Sequence, residues 1–247
     1  MSRVEVLNHC REIDRCNQRG GRMLSIFDLI ERNTMNVELS VFSLYWISQG
    51  SSFLVGANPG GAGKTTVMGA LLNLVPADVE LLPATESIVA EALNRKYHKR
   101  CCFVCHEVGS GHWYAYLWGE SLRNYFRLFE LGHILATNLH ADDIDEAYYQ
   151  ICTENRVPKT HFRKINLMYF IKILPGHRRI INKVYLSDGV NEHRLVYDYE
   201  DGINDLILTI DNDKYFAECK KFISENIEKI RTIEETRQAV LEFLGGR

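Results

Sequence analysis

The segment Asn58-Pro59-Gly60-Gly61-Ala62-Gly63-Lys64-Thr65-Thr66 constrains this chain more than any other. It follows a short apolar run, Ser52-Phe53-Leu54-Val55, and opens a stretch of helical character. A strand, a glycine-rich turn and Gly-Lys-Thr at the start of a helix is the arrangement that binds phosphate. Glycines let successive amides turn inward around an anion, and the helix N-terminus adds its dipole. Lys64 then reaches the terminal phosphates of a nucleotide, and Thr65 offers a hydroxyl to Mg2+. The common pattern has Gly six residues before the Lys, where this chain has Asn58, with Gly56 two residues earlier and an additional glycine at 61. Asn tolerates left-handed backbone better than most residues, so the turn is expected to survive the exchange. A chance glycine turn is the weaker reading, because strand and helix flank the segment in the required order.

The surrounding pattern points to an α/β fold. After Ser51, short apolar runs (Val79 to Leu82, Cys101 to Cys105, Tyr114 to Trp118, Ile134 to Leu139) alternate with turns and helices, as in a buried, mainly parallel sheet. Beyond Pro158 the stretches Ile165 to Leu174, Arg179 to Leu186, Leu195 to Tyr199 and Leu206 to Ile210 are joined by Pro-Gly and Asp-Gly turns, which predicts an antiparallel extension. C-terminal helices close the chain, the last opened by a Thr232/Glu235 capping box. Residues 1–24, polar and with five arginines, read as an N-terminal lead-in, and residues 25–247 as one P-loop domain.

Composition narrows the function classes. With 46% hydrophobic and 25% charged residues the chain is not a disordered polymer, and a net charge of -3 gives no overall basic field, so no nucleic-acid partner is expected. No apolar run approaches the ~20 residues of a spanning helix. The N-terminus has no signal-peptide pattern, and a cytoplasmic protein is expected. Seven cysteines in apolar surroundings suit reduced, buried thiols. Cys102-Phe103-Val104-Cys105-His106 has the spacing of a c-type haem motif, but lies inside an apolar run and reads as a buried strand.

Several segments together resemble a known family. These are Asp28-Leu29-Ile30-Glu31-Arg32-Asn33-Thr34, the glycine-rich loop running on to Leu71-Leu72-Asn73-Leu74-Val75-Pro76, Gly132-His133-Ile134-Leu135-Ala136-Thr137-Asn138-Leu139-His140, and Pro175-Gly176-His177-Arg178-Arg179. In this order they resemble the ATPases of type II and type IV secretion, pilus and archaellum assembly, the archaeal branch most. The resemblance implies a RecA-like core, ATP and Mg2+ as ligands, a hexameric homo-oligomer, and a membrane-embedded platform protein as partner. A place at the inner face of the cell membrane would follow. It also implies that most of the family's N-terminal domain is missing here.

Hydrolysis needs a carboxylate near the attacking water, at the end of a strand close to the phosphate loop. Glu120, after the run Ala115 to Trp118 and Gly119, resembles the family's Walker B acid, and Glu86 is what remains of its acidic box. His140 matches the box histidine, placed to sense the terminal phosphate; Arg22 and Arg32 are candidates for the arginines that the missing domain supplies. Two functions follow: an ATP-hydrolysing motor subunit, or, because the acidic box is eroded and the loop after Glu120 short, a catalytically weak nucleotide-binding regulatory or assembly partner.

Overall fold

The computed structural model describes residues 3–17, 20–111, 113–204, 210 and 213–246. Helices α1 (Arg3–Arg15), α2 (Ile26–Glu31) and α3 (Val37–Ile47) come first. The nucleotide-binding pattern follows as β1 (Phe53–Gly56) and α4 (Lys64–Leu72), then β2 (Glu80–Pro83), α5 (Glu86–Leu93), β3 (Cys101–Val108), β4 (Tyr116–Leu117) and α6 (Glu120–Arg127). After β5 (Ile134–Leu139) come α7 (Ile144–Tyr148), α8 (Lys159–Phe162), β6 (Leu167–Leu174), β7 (Arg178–Leu186), β8 (Arg194–Asp198) and β9 (Gly202–Ile203). Helices α9 (Lys214–Asn226) and α10 (Ile233–Gly245) end the chain.

Among the described residues one sheet runs in the order β2-β3-β5-β1-β6-β7-β8-β9, with β4 paired to the end of β3. Strands β2, β3, β5, β1 and β6 are mutually parallel, and β7 to β9 continue the sheet antiparallel. The expected alternation of buried strands and helices is therefore present. The strand expected over Leu206 to Ile210 lies, apart from Ile210, outside the described residues.

Side-chain alternation along the buried strands divides the core in two. Phe53 and Val55 of β1, Cys102 and Val104 of β3, and Ile134 and Ala136 of β5 face the layer of α1 to α4, α9 and α10. Leu54, Phe103, Cys105 and Leu135 face the layer of α5 to α8. The first 24 residues read as an irregular or partly helical lead-in, and within them α1 is a regular helix. Its Val6, Cys10 and Ile13 are buried in the first of these cores, because they recur on one helical face, and His9 Nε2 lies 3.1 Å from the Leu72 carbonyl. The fully buried Arg237 of α10 donates to the carbonyls of Asn73, Val75 and Pro76, which fixes the chain leaving α4. No helix among the described residues is long and apolar enough to cross a membrane.

One glycine sets the spacing on which the site depends. A Cβ at Gly56 would sit 2.6 Å from the Ala141 carbonyl oxygen and 2.7 Å from the Phe170 ring. The backbone oxygen belongs to the turn after β5 and has little freedom to move. Gly56→Ala is expected to destabilise the fold by about 2 kcal/mol through overpacking, read as a lowered urea midpoint. An unchanged midpoint would show that the turn yields.

Candidate functional site

The parallel strands β1, β5 and β3 end side by side, and the residues that follow them meet at a cavity of about 620 Å³. Gly60 to Thr66 form its floor. Gly61 (φ 88°) and Gly63 (φ 100°) take the left-handed conformation that residues with a Cβ rarely adopt. Gly63 caps α4 without a side-chain hydrogen bond, so the first-turn amides, which have no partner within a helix, are presented at the cavity.

Three charged or titratable side chains converge there. Lys64 Nζ donates to the Ala57 carbonyl (3.0 Å), lies 3.1 and 3.3 Å from the ring nitrogens of His140, and sits 3.6 Å from Glu107 Oε2. His140 Nε2 is 3.8 Å from the same carboxylate oxygen. Lys64 and Glu107 are each only 7% exposed. Burial raises the Glu107 carboxyl above the usual carboxylate range, against the opposing pull of Lys64 and His140. Its Oε1 is buried without a hydrogen-bond partner, an acceptor aimed at nothing the protein supplies.

The opposite wall is basic. The turn between β6 and β7 passes through two left-handed residues, Gly176 (φ 77°) and His177 (φ 59°), and so directs His177, Arg178 and Arg179 to the cavity. Arg179 Nε donates to the Gly61 carbonyl (3.2 Å). The Ile181 amide donates to the Thr34 carbonyl (2.8 Å), which ties the segment carrying Arg32 and Thr34 to β7 at the cavity edge. Arg32, Lys64, His140, His177, Arg178 and Arg179 thus surround one carboxylate, Glu107, among the described lining residues. That balance suits a polyanion.

The expected residues are brought together only in part. Gly60, Gly61, Ala62, Gly63, Lys64, Thr65, Thr66 and His140 line the cavity, whereas Asn58 and Pro59 do not. Asn58 is not left-handed, so tolerance of that geometry does not explain it. Its side chain instead bonds Asp142 and Glu146. Glu86 and Glu120, expected as catalytic acids, are exposed first residues of α5 and α6 and lie outside the lining. The sheet order gives the reason. Both β2 and β4 lie beyond β3 and β5 from β1, three strand spacings or roughly 14 Å away. The carboxylate that reaches the site is Glu107, near the end of β3, a strand that runs three residues past the expected Cys101 to Cys105. Of the two arginine candidates, Arg32 lines the cavity, while Arg22 is bound to Asp28 and the Arg231 carbonyl.

No protein-family model and no curated protein matches the sequence. Among solved structures, similarity extends to the VirB11 ATPase from the Brucella suis type IV secretion system, crystallised with sulphate. There the identity is 14% and the TM-score 0.44, over 71% of this chain and 63% of that one. The ATPase DotB of Legionella pneumophila gives 13% and 0.45, over 87% of this chain and 61% of that one. DotB of Yersinia pseudotuberculosis gives 8% and 0.43, over 87% and 62%. The chain thus spans less than two thirds of each. These likenesses are distant, and the strand order and loop geometry carry the assignment of fold without them. The core is an α/β fold with a mainly parallel sheet and a glycine-rich loop between β1 and α4.

Next to Glu107, the buried His106 has a titration held down to about 4 by burial, from its ordinary 6.5. Its Nδ1 has no partner, and its ring lies 5.4 Å from that of Tyr114. Between these two values the unfolded chain takes up a proton that the folded chain refuses, so stability falls as pH drops from 6.5 toward 4. From this group alone we expect a loss of about 2 kcal/mol between pH 7 and pH 5. Urea midpoints at the two pH values check it, and His106→Phe should flatten the difference; an equal slope in the variant would assign the effect elsewhere.

Proposed function

We propose that this chain binds and hydrolyses ATP with Mg2+, as a motor subunit of a type II or type IV secretion or pilus-like system. The observation that carries the proposal is the meeting of Lys64, His140 and Glu107 on one wall of the cavity floored by Gly60 to Thr66. The residues present fit the group: helix-terminal amides and a basic wall suit a polyphosphate, and the unpartnered Glu107 Oε1 suits a water or a metal-bound water.

In this reading the amides of the loop and Lys64 would hold the phosphates, and Thr65 and Glu107 would hold Mg2+, which would supply neutralisation of the phosphate charge. Glu107 orients the attacking water and accepts its proton, helped by burial that keeps the carboxyl more basic than usual. His140 stands between Lys64 and the solvent, placed to register the terminal phosphate. Arg178, Arg179 and Arg32 supply the positive charge that phosphoryl transfer draws on. Placement in a secretion or pilus system rests on the order of the four sequence motifs, and with it go a homo-hexamer, a membrane-embedded platform partner and a cytoplasmic location.

A second reading keeps ATP binding but little hydrolysis. It is favoured by the solvent position of Glu86 and Glu120, which leaves Glu107 as the one carboxylate of the described lining. Phosphate release measured against protein concentration separates the two. A motor that shares sites between subunits gains specific activity as it assembles. Saturable ATP binding with no release at any concentration would favour the regulatory partner.

A further inference from the structure

Asn58 occupies the position where the common phosphate-loop pattern has glycine, and its bonds are unlike those of a turn residue. Its amide N-H donates to Asp142 Oδ1 (2.7 Å), and its Nδ2 donates to Asp142 Oδ2 (3.1 Å) and Glu146 Oε2 (3.0 Å). The Asp142 amide in turn donates to Glu146 Oε2 (2.9 Å), and Asp143 caps α7 through the Glu146 amide (2.9 Å). One asparagine side chain therefore bridges two carboxylates of the β5–α7 turn, the turn that carries His140.

The carbonyl of the same residue completes the arrangement. His140 Nδ1 lies 2.8 Å from the Asn58 oxygen, which can only accept, and 3.1 Å from the Lys64 ammonium, which can only donate; the shorter contact, to the carbonyl, places the proton on Nδ1. Nε2 is then left without a proton, 3.3 Å from the Lys64 ammonium and 3.8 Å from Glu107 Oε2. The far side of His140 is held by Gln150, whose Nε2 donates to the His140 carbonyl (2.5 Å) from a π-helical turn, Tyr149–Glu154. Such π turns recur at functional sites because they redirect a side chain that an α-helical turn would aim elsewhere.

We infer that Asn58, Asp142 and Glu146 form a positioning clamp that locks the start of the phosphate loop to the turn bearing His140 and so keeps the His140 proton on Nδ1. The inference rests on the nucleotide-site reading for its catalytic meaning, but the tautomer it demands exists with or without nucleotide. Asn58 is a positioning residue here: it does not line the cavity, and it acts through His140 and the loop.

The test uses the full chain and three variants: Asn58→Gly, which restores the common residue and removes the bridge; Asn58→Asp, which sets three carboxylates together; and Asn58→Asp with Asp142→Asn, which exchanges the partners at constant charge. Long-range nitrogen-proton NMR spectra of the His140 ring should show the Nδ1-H form in the wild type and a mixture in Asn58→Asp, with the exchange variant returning to the Nδ1-H form. In parallel, KM for ATP is expected to rise about ten-fold in Asn58→Asp and less in Asn58→Gly, with recovery in the exchange variant. A His140 ring spectrum identical in all four proteins overturns the clamp, as does an Nε2-H form in the wild type. A wild type that shows the expected tautomer but binds no ATP leaves the clamp standing and removes the nucleotide-site reading. Thermal unfolding of each variant establishes that the proteins compared are folded.

Discussion

Glu107→Gln is expected to lower steady-state ATP turnover by about a hundred-fold or more, because general-base catalysis contributes on that scale, while leaving ATP binding in place. Glutamine keeps the shape of the side chain and its contact with Lys64 but neither accepts a proton nor carries charge. Glu107, its Oε2 3.6 Å from Lys64, is the one carboxylate of the described cavity lining and so the proposed water-orienting group. Glu120→Gln and Glu86→Gln, at exposed helix starts outside that lining, are expected to leave turnover within about two-fold, the ordinary effect of a surface change. Phosphate-release assays on the three variants decide the matter. A loss in Glu120→Gln with normal activity in Glu107→Gln would reverse the assignment of the catalytic acid.

The second large effect belongs to Lys64. Lys64→Ala removes the one ammonium among the described residues of the cavity lining and is expected to weaken ATP binding by more than about a hundred-fold, the equivalent of ~3 kcal/mol for a lost charge-assisted contact. Equilibrium titration with a fluorescent ATP analogue measures it. Lys64 contacts Ala57, His140 and Glu107, so in the proposed binding mode the ammonium would shift partly away from these groups. Undiminished binding in the variant would mean that the ammonium serves only those internal contacts.

The fold was readable in the sequence because its signals are local. The phosphate loop sits between a four-residue apolar strand and a helix, and runs such as Ile134 to Leu139 are buried along their whole length, as a parallel sheet requires. The proposed catalytic acid, Glu107, is not readable in the same way. The pattern of an apolar strand ending in an acid occurs twice, at Cys101 to Glu107 and at Ala115 to Glu120. Spacing along the chain does not reveal which strand lies nearer β1. The second copy forms a two-residue strand at the edge, and the first spans eight buried residues. Burial of charge at the end of the longer apolar run is the available signal, and it lies two residues past Cys105, where the apolar run ends. Likewise the role of Arg178 and Arg179 at the cavity depends on a turn with left-handed Gly176 and His177, and that of Asn58 on carboxylates more than eighty residues away in sequence. Contacts of this range come from topology, which the local pattern does not encode.

The central claim is that main-chain amides between Gly60 and Thr66 receive a polyphosphate. Backbone amide NMR shifts recorded during titration with Mg2+ and ATP address it residue by residue. The account predicts saturable shifts at Gly61, Gly63, Lys64 and Thr65, stoichiometric with the chain and reduced with AMP, which lacks the outer phosphates. Shifts confined to other parts of the molecule, or of equal size with AMP, would contradict it.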